Sequence, residues 1–594
     1  MSVVSSTGAV FVRRVAARTG DWRATDRGGV DWHARWIVIF LAVAVAVRLI
    51  RYLLRFPLWG DETLLAVNFL DRDYAGLMRP LDCHQVAPLL FLWIELTAVK
   101  LLGFHEWSLR LFPLLCSLAG IFLFHRLARR LLSGTALVLA VGIFAVTYSG
   151  IRYASEVKPY GVDLTVSTLI LLLTVRWWQQ PGETGQLWAL TAVMPLALGL
   201  SFPSAFVAGG ASLAIAAVLL GRRRAPGVSL GVTPGATARA PWANARGSPS
   251  VYLWAVWAVY NLVTAGSFLA WYWLGIRPQA QAELGVMAAG WSSAFPPRDS
   301  LVKLAVWLLQ SHAGPLLAVP LGGDHWGSAG TLLLCLVAAT VLLRQARYRL
   351  LLLCAAPFAL NLLAAALGRY PYGGHMRLAM HVVPIVCILA GIGAAATIQW
   401  LDGLRNPLHK LHQEIAAPSP NWPIALVIGL LLLMAILTTA RDFCLPGKEQ
   451  QVIRKRDFAS WFWSSLEREH EVACIASGLP PELPALDKPG RGTAAPPFLC
   501  DRRIYSPRSA SGIACDLDRV SPQRPLACVQ YWSHLAPYDP AVFARWLDVM
   551  KQRYDLVATT RYPLLQDNDN DREPEPADRI EVYEFAPKDT LRNR

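Results

Sequence analysis

Uninterrupted apolar runs constrain this chain more than any other feature. WIVIFLAVAVAVRLI, VYLWAVWAVYNLVTAGSFLAWYWLG and WPIALVIGLLLLMAILTTA are continuous rather than alternating, and several runs reach membrane-spanning length. A helix needs about 17 to 25 such residues to cross a bilayer, and in lipid only helices and closed barrels satisfy their own backbone. Continuity selects helices. At 54% hydrophobic and 16% charged residues over 594 positions, with 23 tryptophans, the composition lies outside the range of soluble domains. The chain reads as a polytopic α-helical membrane protein.

The formal charge of +15 does not point to nucleic acid, because the cations gather in short loops beside the apolar runs. Residues 1–34, with Arg13, Arg14, Arg18, Arg23 and Arg27, form a basic cytoplasmic tail. The first run is too long for a signal-peptide core, so it is expected to stay as an anchor. The second, about Leu109 to Phe124, ends in His125-Arg126 and Arg129-Arg130, an inside signal. This places the first loop, 56–108, outside. Continuing the pattern gives about eleven spans over 35–440. A cytoplasmic linker at 222–250 and a second outer loop at 276–325 interrupt them.

With the N-terminus cytoplasmic, eleven spans leave residues 441–594 outside the membrane. Their composition is soluble, and the runs EVACIAS, PLACVQYW, YDLVATT and RIEVYEF read as strands of a small extracytoplasmic α/β domain. An oxidising exterior permits disulfides among Cys474, Cys500, Cys515 and Cys528, with the pairing open.

The first outer loop carries the polar residues that stand out most. Asp61 and Glu62 follow the first span, where an acid can cap a helix or act as a general base; neighbours on a helix point about 100° apart, so one is expected to act and the other to position. Asp61 is the expected base. His84 and Gln85 line a substrate site or end a short helix. Lys158 and Arg152 in SGIRYASEVKPYG, and Arg369 and Arg377 around YPYGGHM, read either as phosphate ligands or as headgroup contacts. Tyr153, Glu156, Tyr160, Tyr372 and His375 in the same two turns are candidate substrate contacts. Arg48, Arg51 and Arg55 share a helical face and either snorkel or form a phosphate stripe. No nucleotide-sugar, zincin or hydrolase motif is present and no metal spacing recurs, so no cofactor is expected; assistance by a divalent cation stays open.

WGDE after the first span, HQVAPLLFLW, GFHEWSLRLFPLL, YASEVKPYG and GRYPYGGHMR together carry a resemblance. Over about residues 35–400 the chain resembles the C-type glycosyltransferases, in particular the bacterial relatives of protein O-mannosyltransferases and lipid A aminoarabinose transferases. The resemblance implies a polyprenyl-phosphate-linked monosaccharide donor, an outward-facing site in the inner membrane and an inverting single displacement. It also implies an acid of the first outer loop as base, here Asp61 with Glu62 beside it. Two juxtamembrane helices are implied, placed at Thr63 to Leu77 and Pro88 to Leu102. The acceptor is lipid, protein or glycan. The aminoarabinose transferases carry an acid and a lysine where this chain has His84-Gln85, which counts against an aminoarabinose donor. Two other classes compete: a transporter of a lipid-linked sugar, disfavoured because the distinctive acids sit in a loop and no inverted repeat is evident, and a non-catalytic scaffold.

Overall fold

The computed structural model describes residues 32–58, 60–81, 85–181, 183–223, 249–281, 292–323, 326–405 and 422–444. Beyond these it describes 457–465 without 460 and 463, then 470–475, 513–514, 524–532, 544, 547–548, 550–552, 554–563 and 579–588. The basic tail and nearly all of the cytoplasmic linker lie outside the described residues, as does His84.

Each of the eleven expected spans is helical. Among the described residues eight helices are long and apolar enough to cross a membrane: Trp32–Leu53, Glu106–Leu131, Tyr160–Gln179, Ser204–Gly221, Val251–Gln279, Tyr348–Ala366, Val383–Asp402 and Trp422–Cys444. A ninth arises if Gly134–Val146 and Tyr148–Ser155, bent by 50°, count as one broken span. Gly185–Leu200 and Ala329–Arg344 are apolar but shorter.

The chain divides into two compact units. The first comprises Met1–Leu53, Ala87–Leu92 and Pro113–Ala440. Its helices approach closely where small residues meet, as lipid-embedded packing requires. A Cβ on Gly391 would lie 2.6 Å from Ala140 Cβ, bringing Val383–Arg405 against Gly134–Val146. One on Gly393 would overlap the Leu334 carbonyl of Ala329–Arg344.

Helix Gly134–Val146 stops at Thr147, and the chain turns through Tyr148–Arg152 and the 3-10 turn Tyr153–Ser155 into Tyr160–Gln179. A break inside an apolar span frees carbonyls that need new donors. Thr147 Oγ1 donates to Ile143 O at 2.7 Å, and Arg48 Nη1 reaches Ala145 O at 3.3 Å. Arg48 also donates to Ser117 Oγ and to Ala44 O, both at 3.0 Å. It is 1% exposed, so it neither snorkels nor contributes to a phosphate stripe; its guanidinium is spent on the broken backbone.

The second unit comprises Leu54–Val86, Trp93–Phe112 and Arg441–Arg594. Its C-terminal part is a five-stranded sheet of β1 (Glu471–Ile475), β2 (Ile513–Ala514), β3 (Leu526–Trp532), β4 (Tyr554–Pro563) and β5 (Arg579–Pro587), in the order β2-β1-β3-β5-β4. β1 pairs in parallel with β2 and β3, whereas β5 lies antiparallel to β3 and β4. All four expected runs are strands; β2, two residues long, gave no signal. Leu526, Val529, Ile580, Val582 and Phe585 are buried on the sheet, and the Phe458 ring packs edge-on against Tyr562 at 5.2 Å. Cys528, one of the four cysteines among which a disulfide was permitted, is a buried free thiol in the middle of β3. The Cys474 side chain, Cys500 and Cys515 lie outside the described residues.

Candidate active site

After the first span a short helix, Gly60–Ala66, starts at Gly60 and places Asp61 and Glu62 in its first turn, where the helix dipole favours acids. The Asp61 side chain lies outside the described residues. Glu62 is 1% exposed and held by Arg110, whose Nε donates to Oε1 at 2.9 Å and Nη2 to Oε2 at 2.6 Å. The same guanidinium donates to the carbonyls of Phe56 at 2.6 Å and Pro57 at 3.3 Å. One arginine thus fixes both the approach to this helix and its first turn. A second pair stands beside it: Arg55 donates to buried Glu106 at 3.0 Å and lies 5.0 Å over the Trp107 ring.

The expected first juxtamembrane helix is shorter than Thr63 to Leu77. It breaks at Val67, continues as Asn68–Asp71 and ends at Arg72, which is extended. Asn68 Nδ2 donates to Leu64 O and Leu65 O, both at 3.2 Å, and so competes with the backbone for the carbonyls that a continuous helix would use. The second, Leu89–Leu102, matches its expected bounds closely. On its wetter face Trp93 Nε1 donates to Tyr74 O, Thr97 meets the Tyr74 hydroxyl, and Lys100 covers the Tyr74 ring. Its buried face carries Phe91, Leu92, Leu96 and Val99, and among them Glu95, which is 0% exposed. Neither Glu95 oxygen has a hydrogen-bond partner, and burial pushes its carboxyl well above the usual range.

In the first unit the turn after Thr147 gathers several of the expected site residues. Arg152 Nε donates to Glu156 Oε1 at 2.7 Å, and its guanidinium lies 5.5 Å over Tyr153. Tyr153 and Tyr160 meet edge to face at 5.0 Å. Arg377 reaches the Tyr153 hydroxyl electrostatically across the sequence gap. Lys158, 8% exposed, follows in the same turn, its N–H donating to Glu156 O at 2.8 Å. The result is a cluster of two cations, one acid and two tyrosines built from two distant segments, with Lys158 in the same turn.

The other expected residues fall in different surroundings. Gly373 and Gly374 both have positive φ, +73° and +74°, a turn that other residues rarely adopt. It leads to His375, whose Nδ1 accepts the Arg377 N–H at 3.2 Å and caps the turn Met376–Ala379. Tyr372 is buried, with its hydroxyl 3.1 Å from His312 Nε2, while His312 Nδ1 donates to Leu308 O. Tyr372 therefore ties the Gly-Gly turn to helix Leu301–Ala313. Arg369 is exposed at the end of Tyr348–Ala366, and Gln85 is partly exposed. Sequence reasoning missed Arg110, Glu95 and Asp163. Arg110 and Glu95 each stand as a charge within an apolar helix, a pattern that does not tell a buried residue from an interfacial one. Among the described residues no group of three or more His, Cys, Asp or Glu side chains is placed to hold a metal ion.

This architecture, a helical membrane unit with juxtamembrane helices and a small C-terminal sheet, is an ArnT-like fold. The chain is similar to the crystal structure of ArnT from Cupriavidus metallidurans, in the apo state and bound to undecaprenyl phosphate. The TM-score is 0.52 at 13% and 14% identity, over 92% of this chain and 98% of that one. A weaker likeness, TM-score 0.38 at 13% identity, extends over 75% of this chain and 62% of the oligosaccharyltransferase of Archaeoglobus fulgidus. The sequence profile of the dolichyl-phosphate-mannose-protein mannosyltransferases matches residues 86–239, a stretch that includes Glu95, Arg110 and the Arg152–Tyr160 turn. No curated protein sequence matches the chain.

Proposed function

We propose that this chain is a glycosyltransferase that moves a monosaccharide from a polyprenyl-phosphate donor to an envelope acceptor at the outer face of the inner membrane. The observation that carries this reading is the half-buried cluster of Arg152 and Arg377 around Tyr153 and Tyr160, with Lys158 in the same turn, within a fold shared almost end to end with ArnT. The ArnT structure bound to undecaprenyl phosphate supports a lipid-phosphate ligand for the same fold.

In this reading the acceptor hydroxyl gives its proton to the Asp61 carboxylate as its oxygen attacks the anomeric carbon. The bond from that carbon to the phosphate oxygen breaks, and polyprenyl phosphate leaves with the electron pair. A single displacement inverts the anomeric centre. Charge grows on the leaving phosphate, and fixed cations in a water-poor site stabilise it where it develops. Lys158, Arg152 and Arg377 take that role. Arg110 engages both oxygens of Glu62, which leaves the role of base to Asp61 in this reading. Mass spectrometry of envelope glycolipids and glycoproteins tests the function: a deletion strain loses a glycosylated species that the wild-type gene restores and the Asp61→Ala gene does not. An unchanged envelope on deletion contradicts it.

A further inference from the structure

A second set of polar groups lies beside the cationic cluster in the first unit, and the proposed chemistry leaves it unused. Asp163, in the first turn of Tyr160–Gln179, is 4% exposed, with Ser201 beside its carboxylate and Oδ1 without a hydrogen-bond partner. Asn361, from the middle of Tyr348–Ala366, is 1% exposed; its Nδ2 is 3.5 Å from His381 Nε2, and its Oδ1 has no partner. His381 is fully buried, and burial lowers its imidazole to about 3, so it is neutral. Two rings join these groups: Phe206 meets Tyr370 edge-on at 5.3 Å and His381 at 5.8 Å. Tyr370 in turn lies within electrostatic reach of both Asp163 and Tyr160.

Buried carboxylate and amide oxygens left unpaired are costly, and native folds keep few of them. Their chemistry is specific. A carboxylate and an amide accept and donate to vicinal hydroxyls, while aromatic faces pack against the C–H face of a pyranose. Phe206, Tyr370 and Tyr160 are partly exposed, whereas Asp163, Asn361 and His381 are buried. The arrangement is also polarised. Tyr160 meets Tyr153, which Arg377 reaches, on one side and lies within reach of Tyr370, which Asp163 reaches, on the other, so cations mark one end and neutral or acidic acceptors the other. A phosphate linked to a sugar has the matching polarity.

We propose that Asp163, Asn361 and His381, set around Phe206 and Tyr370, form the subsite for the donor's monosaccharide, and that this sugar presents neutral hydroxyls there rather than a carboxylate or sulfate. The inference rests on the function proposed above and deepens it.

The test uses the purified full-length chain in nanodiscs and compares binding of undecaprenyl phosphate with that of undecaprenyl-phosphate-linked mannose, glucose, galactose and glucuronic acid. The expected result is that at least one neutral sugar tightens binding at least about tenfold over the bare lipid phosphate and glucuronic acid does not. Asp163→Leu and Asn361→Leu should abolish that increment and leave the affinity for bare undecaprenyl phosphate unchanged. Because each native side chain keeps one buried oxygen unpaired, these variants should unfold at the wild-type temperature or above it, whereas a merely structural role would lower it. An increment that survives both substitutions overturns the subsite, as does equal loss for the bare lipid phosphate or the absence of an increment with every neutral sugar. Failure to bind undecaprenyl phosphate at all overturns the parent function, and the subsite with it.

Discussion

Arg110 grips Glu62 through both carboxylate oxygens, at 2.9 and 2.6 Å, across 48 residues of sequence. Both side chains are almost fully buried, and the same guanidinium binds the carbonyls of Phe56 and Pro57. The pair gives Asp61 its setting: it fixes the first turn of the helix that carries the expected base.

Breaking that pair from one side strands a buried charge. Arg110→Met or Glu62→Met alone should destabilise the loop by about 3–5 kcal/mol, and the double variant should cost much less than the sum. Thermal unfolding in detergent, read as a double-mutant cycle, checks this. Additive losses would show that the two side chains do not act as a pair.

Glu95 should make the protein pH-sensitive in a defined direction. Its folded pKa is raised, so between the ordinary glutamate value and the folded value only the native state keeps the proton. The contribution is fully present below the ordinary value and declines as pH rises, by about 1.4 kcal/mol per pH unit. Glu95→Gln, neutral at every pH, should match the wild type at low pH and exceed it increasingly above that. Parallel unfolding temperatures across the pH range would contradict a buried, protonated Glu95.

Gly150 leaves room for Arg48: a Cβ there would sit 3.0 Å from Nη2. Gly150→Ala should therefore cost about 1–3 kcal/mol by displacing the guanidinium from the broken span. Arg48→Lys, which keeps the charge but loses the forked donors, should cost a similar amount. Unfolding temperatures report both effects.

The cationic cluster predicts selective loss. Arg377→Ala or Lys158→Ala should weaken undecaprenyl phosphate binding by about ten- to a hundredfold, as expected for a charge-assisted contact, and leave acceptor affinity nearly unchanged. Titration of the purified variants with each substrate measures the difference. Equal loss for donor and acceptor would count against a phosphate role.

Much of this was legible in the sequence, for reasons that also explain what was not. A span announces itself by a continuous apolar run, and a strand such as RIEVYEF by alternation, so helices and most of the sheet were readable. Motif residues already adjacent in the chain, such as Arg152, Tyr153, Glu156 and Tyr160, were readable as a group. The partner of Glu62 was not, because an arginine 48 residues away in an apolar helix looks like a topology signal until the fold closes. Arg48 was misjudged for the related reason that a cation near a span's end has an easier reading, snorkelling, than capping a break in another helix. Glu95 and Asp163 sit inside helices whose pattern is apolar. Only their burial with unpaired carboxylate oxygens sets them apart, and sequence does not display burial.

The most direct measurement of the central claim is sugar transfer itself. Undecaprenyl-phosphate donors carrying radiolabelled neutral sugars are supplied to proteoliposomes holding the purified full-length chain together with an envelope extract, and labelled product is followed over time. The account predicts release of undecaprenyl phosphate matched by label in an envelope acceptor. With Asp61→Asn the product is lost, while the variant still binds undecaprenyl phosphate and unfolds at the wild-type temperature. Undiminished transfer by Asp61→Asn, or label that crosses the bilayer without leaving the lipid, would contradict it.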